Sequence, residues 1–222
     1  MQKSKLRENL ETRAYSSSLT ERQYNLSIGL TLTYGVIVSA VLAYTMKERF
    51  LGANPWLFCL LYLVLGFTGQ CIAISSSNAF LSFFAYNLVV VPTGCLLSTF
   101  VWYYSSVDIT YALISVAVIV GVMTILATIL PQLFAGLGKA LFISLLVGII
   151  VELIMLLLGF GDSTIFDWFF VILFTLYVGY DWTLAQAYPR TINNAVTVSI
   201  ALYLDMVNLF VRILSILGKK SN

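Results

Sequence analysis

Between Phe50 and Lys139 the chain carries a single charged residue, Asp108. A soluble domain does not tolerate so long an uncharged run, because about a quarter of the residues in such domains are charged. Here the share over all 222 residues is 10%, against 60% apolar. The run divides into apolar stretches of about 20 residues, the length at which a helix crosses the ~30 Å hydrocarbon core of a bilayer. The sequence therefore predicts an all-α, polytopic membrane protein.

Turn and charge signals mark the breaks: "KERFLGANP", "SSSN", "YYSSVD", "PQ", "GFGDS" and "AYPRTINN". They leave seven predicted spans, at about 25–46, 55–75, 79–100, 108–130, 133–160, 163–184 and 193–217. Residues 1–24 mix both charges with serine and have no apolar core, unlike a cleavable signal, and read as a retained cytoplasmic tail. A transmembrane domain over residues 25–217 and a short tail at 218–222 complete the expected organisation. Orientation follows the lysines and arginines. Lys3, Lys5, Arg7, Arg13, Arg22, Lys139 and Arg190 fall on the N-terminal side, and Lys47, Arg49, Arg212, Lys219 and Lys220 on the other. The balance puts the N-terminus in the cytoplasm, and with no organellar signal the expected location is a bacterial plasma membrane.

Several chemistries drop out. Histidine is absent, which removes histidine-activated nucleophiles, the HExxH zinc motif and any imidazole pH sensor. Cys59, Cys71 and Cys95 are an odd set inside apolar stretches and read as small buried hydrophobes. A net charge of +2 without basic runs gives nucleic acid nothing to bind. No catalytic constellation and no cofactor site emerge, so the chain is expected not to be an enzyme.

What remains is a set of acids inside the membrane, each costly enough to be a functional candidate. Glu152 lies in the fifth span, Asp181 near the end of the sixth and Asp205 in the middle of the seventh, with no lysine or arginine expected at their depth. Asp205, Asn208 and Arg212 are spaced to share one helix face. The bland alternatives are that Asp181 reaches the cytoplasmic interface, that Asp205 and Asn208 make structural interhelical hydrogen bonds, and that Glu152 is a protonated structural residue. Arg212 is expected to snorkel to the far interface, and Asp108, Asp162 and Asp167 to cap helices. The sixth and seventh spans form an antiparallel hairpin, so Asp181 and Asp205 meet only if the sixth helix runs further than 184 or "PRTIN" is already wound. Two carboxyls that meet away from water hold one shared proton near neutral pH and titrate as a unit. Losing that proton sets like charges in contact, which parts the helices or recruits a cation, and the pair becomes a gate.

Two segments carry a resemblance. "ALYLDMVNLFVRILSILG" (Ala201 to Gly218) resembles the C-terminal signature of the transmembrane Bax inhibitor motif family, and "LYVGYDWTLAQ" (Leu176 to Gln186) is similar to that family's YD segment. "YNLVVVPTGCLLSTF" and "GLGKALFISLLVGIIV" follow its third and fifth helices more loosely. The resemblance implies seven helices with the last one central and wrapped by the other six. It also implies a pH-sensitive calcium leak, or calcium/proton exchange, gated by paired aspartates that match Asp181 and Asp205. Calcium would be the permeant ion, weakly and transiently met by those two carboxylates, with Asn208, Glu152 and Arg212 as supporting polar residues. Calcium ions, protons and the bilayer are then the partners. Bacterial relatives often carry a basic residue after the second helix, where this chain has "ISSSN" (Ile74 to Asn78), so its switching pH is expected to differ.

Two other classes stay open. A non-conducting regulator would bind other membrane proteins through small-residue faces such as Gly66 and Gly69. An intramembrane aspartyl protease would use Tyr180-Asp181 and "GFGD" at Gly159 to Asp162, but these come in reversed order and no Pro-Ala-Leu is present.

Overall fold

The computed structural model describes residues 18–46, 55–76, 78–159 and 164–221. Among them every regular element is a helix: α1 (Glu21–Thr45), α2 (Pro55–Ser75), α3 (Ala79–Val101), α4 (Ser106–Ile129), α5 (Pro131–Ala135), α6 (Gly138–Leu157), α7 (Thr164–Ala187) and α8 (Ile192–Ser221). Six of them, α1, α3, α4, α6, α7 and α8, are long and apolar enough to cross a membrane, and α2 adds the shorter apolar stretch Leu60–Ser75. The tail before residue 18, Lys47, Arg49 and Asp162 lie outside the described residues.

Local chemistry explains where the boundaries depart from expectation. The first helix starts at Glu21, inside the expected tail, because Thr20 and Gln23 form a reciprocal capping box. The Gln23 N–H donates to Thr20 Oγ1 at 3.3 Å and the Thr20 N–H to Gln23 Oε1 at 3.0 Å, which satisfies two donors a helix start otherwise leaves unpaired. The stretch expected as one span over 133–160 is two helices, α5 and α6, with Gly136 and Leu137 between them. Close approach to α7 dictates that break. Phe134 packs onto Gly179, and a Cβ at Gly138 would lie 2.5 Å from the Tyr180 hydroxyl oxygen. The last helix, α8, extends to Ser221, past the expected end at 217.

The last helix packs against α1, α2, α3, α4 and α7, while α6 packs on α7. Its apolar side chains Leu209 and Leu214 are fully buried, whereas Leu30, Ile37, Ile125 and Leu146 on the surrounding helices are half or more exposed. That inversion is what a bilayer allows, since lipid tails solvate the outward apolar faces. Polar side chains supply the inter-helix links. Ser39 on α1 and Tyr203 on α8 share a hydrogen bond of 2.5 Å, Tyr86 on α3 donates to Thr31 O at 2.9 Å, and Tyr24 donates to Ala185 O at 3.0 Å. At the start of α8, Asn193 donates to Ser76 O at 2.9 Å and accepts from Ser82 Oγ, so it clamps both ends of the α2–α3 turn.

Candidate functional site: an acid-lined cavity along the last helix

One face of α8 repeats polar residues at helical spacing: Asn193, Thr197, Asp205, Asn208 and Arg212. All five line a single cavity of about 710 Å³. From Asn193 to Arg212 the helix rises ~28 Å, close to the ~30 Å of a bilayer core. The cavity thus follows the last helix over most of the membrane's thickness. Its other walls come from α2 (Tyr62, Gln70), α6 (Ile149, Glu152) and α7 (Phe174, Tyr177, Asp181).

Asp181 and Asp205 come together in it. The sixth predicted span, α7, runs to Ala187, three residues beyond the expected end, and α8 is already wound at Ile192, within "PRTIN". Across the short connection the two carboxyl groups interact directly, and Tyr177, one turn before Asp181, interacts electrostatically with both. Asp205 is 5% exposed, and its Oδ2 is buried without a hydrogen-bond partner. A buried carboxylate oxygen left so costs free energy unless a proton, a cation or a donor reaches it. Asp181 is only partly buried, on the cavity side of α7 rather than at the end of its helix.

Arg212 does not snorkel. Its guanidinium grips Glu152 of α6 at two points, 2.6 and 2.7 Å, and reaches Asp167 of α7 at 3.2 Å. It also lies 4.3 Å from the centroid of the Phe170 ring. The expectation that no basic residue stands at the depth of Glu152 is therefore corrected: a planar, permanently charged fork finds both acids more favourable than a distant interface. Asp167 is corrected with it. It sits in the first turn of α7, but its side chain is buried and accepts from Arg212 and, at 3.0 Å, from Ser215 Oγ. Asp108 does behave as a cap residue, its N–H donating to Ser105 Oγ at 3.1 Å and its carboxylate accepting from the same hydroxyl at 2.6 Å.

Asn208 donates one of its two Nδ2 hydrogens to Leu204 O at 2.8 Å, which leaves its amide oxygen and one N–H for the cavity. Among the described residues no salt bridge reaches Asp181 or Asp205, since Arg212 is engaged by Glu152 and Asp167. No group of three His, Cys, Asp or Glu side chains converges there as a metal site either. Two carboxylates and an amide oxygen fall short of the six to eight oxygens of a tight calcium site. Ile74 and Ser76 of "ISSSN" line the cavity at the end where α8 begins, the Ser76 carbonyl accepting from Asn193. Sequence reasoning missed the Arg212, Glu152, Asp167 and Ser215 cluster. Its one visible trace is Arg212 and Ser215 three apart on the same helix face.

The comparisons with known proteins agree with this architecture. Uncharacterized membrane proteins of Streptococcus pyogenes serotypes M3 and M1 are 24% identical over 205 residues, covering 86% of this chain and 89% of theirs. A serotype M6 relative, also an uncharacterized membrane protein, matches to the same extent. Residues 22–222 match the family described as inhibitor of apoptosis-promoting Bax1. The chain belongs to that Bax inhibitor family of multi-pass membrane proteins.

Proposed function

We propose that this chain is a pH-sensitive cation leak, permeable to calcium, in which Asp181 and Asp205 form a proton-sharing gate. In this reading α2 counts as a seventh span, the six other spans surround α8, and the N-terminus faces the cytoplasm of a bacterium. The observation that carries the reading is the unpartnered Asp205 Oδ2 beside Asp181, in a cavity that follows α8 from Asn193 to Arg212. With one proton between them the two carboxyls hold α7 and α8 together. Without it they repel, or bind a cation in place of the proton. The sparse oxygen supply suits passage, because conduction needs sites weak enough to leave. Calcium/proton exchange is the coupled form of the same chemistry. No step of it makes or breaks a covalent bond other than to a proton, so the protein acts as a transport protein and not an enzyme.

The test is calcium entry into liposomes containing the pure, folded protein, compared with empty liposomes. Entry above the empty control that increases with pH supports the leak. No entry at any pH rejects it in favour of a non-conducting regulator.

A further inference from the structure

The geometry points to a second ligand for this cavity, a single-chain lipophilic ammonium that enters sideways from the bilayer and seats its charged head against Asp205 and Asp181. The inference shares the cavity with the leak reading but does not require that ions flow.

A volume of about 710 Å³ is far more than a bare ion needs. It falls within the ~300–1,000 Å³ typical of pockets for drug-sized organic ligands. The side wall is apolar: Leu63 and Ile74 of α2 and Ile149 of α6 line the cavity while remaining 58%, 75% and 50% exposed. Since α2 packs on α3 and α8, and α6 packs on α7, these rim residues stand on two helices whose outer surfaces face lipid. A tail lying between them leaves one apolar environment for another, so it contributes little selectivity.

Selectivity sits in the head group. Apart from the Asp181 carboxyl beside it, Asp205 Oδ2 receives no hydrogen-bond donor from the described residues, and an ammonium brings three N–H donors. The Asn208 amide oxygen lies one turn further along the same helix face. Phe174 and Tyr177, with ring centroids 6.0 Å apart, line the same wall, and aromatic faces attract cations within about 6 Å. The charge count also fits. Two carboxyls sharing one proton carry one net negative charge, which one ammonium balances. Arg212 does not compete, being held by Glu152 and Asp167. A neutral hydroxyl head of the same chain length offers one O–H donor but neither the charge balance nor the attraction to the aromatic faces.

The experiment titrates decylamine, and separately decanol, into phosphatidylcholine nanodiscs loaded with the protein, with empty nanodiscs as the blank and calorimetric heat as the readout. A saturable site that prefers decylamine over decanol by tenfold or more, and that weakens tenfold or more in folded Asp205→Asn, is the expected result. Heats equal to the empty nanodiscs, or equal affinity for amine and alcohol, overturn the inference, and this comparison needs only the wild-type protein. Flux separates the two readings. Amine binding without calcium entry keeps the ammonium site and rejects the leak, while calcium entry without amine binding does the reverse.

Discussion

Arg212 of α8 holds Glu152 of α6 in a two-point salt bridge of 2.6 and 2.7 Å, sixty residues apart in sequence. The same guanidinium reaches Asp167 of α7, so three helices are joined at one end of the cavity. The two acids differ in surroundings. The Glu152 side chain is 42% exposed and that of Asp167 only 6%. Replacing Arg212 by Met roughly keeps the volume but takes the guanidinium away from the buried Asp167 carboxylate, a change that costs about 3–5 kcal/mol in buried pairs. Glu152→Gln leaves Arg212 paired with Asp167 and keeps an amide oxygen that can accept from it, so its loss should be the smaller of the two, by about 1 kcal/mol or more. Chemical unfolding in detergent checks both. Equal losses would show that Asp167 is not the dependent partner.

Gly69 and Gly66 separate internal packing from surface. A Cβ at Gly69 would stand 2.6 Å from the Ala85 carbonyl oxygen, a backbone atom that cannot swing away, whereas nothing lies within 4 Å of one at Gly66. Gly69→Ala should therefore force α2 from α3 at a cost of about 1–3 kcal/mol, the range for overpacked sites. Gly66→Ala should be neutral or slightly stabilising. Thermal unfolding of the two variants decides. A neutral Gly69→Ala would contradict the close α2–α3 contact.

Asn193 is the clamp between α8 and the α2–α3 turn. Asn193→Ala strands the Ser76 carbonyl and the Ser82 hydroxyl together. Inter-helix hydrogen bonds in membranes are worth about 0.6 kcal/mol on average and up to about 1.7, and losing two should approach the upper figure. Unfolding measurements on Asn193→Ala test this, with Asn194→Ala as a control, since the Asn194 side chain donates to Pro189 O within its own connection.

The spans and the acid pair were legible in the sequence because each has a one-dimensional signature. Apolar stretches of membrane length announce helices, and a carboxylate in their midst stands out against its neighbours. Asp205, Asn208 and Arg212 share one helix face by spacing alone, and all three line the cavity. The partners of Arg212 were not legible. Glu152 and Asp167 are brought to it by the packing of α6 and α7, and Asp167 carries the ordinary signature of a first-turn acid. The break between α5 and α6 was hidden for a similar reason. Phe134 and Tyr180 fix it through contacts with Gly179 and Gly138 that no local pattern records.

The central claim is that Asp181 and Asp205 share a proton whose loss opens the path. Calcium entry into proteoliposomes, followed from about pH 5.5 to 8 for wild type, Asp181→Asn and Asp205→Asn, tests it most directly. In the wild type, low pH keeps the shared proton and the closed pair, and rising pH removes it, so entry should increase with pH. Each Asn variant lacks one of the two titrating carboxyls, so its entry should be flat over that range. A wild-type rate independent of pH, or a pH dependence that survives in both variants, would contradict the account.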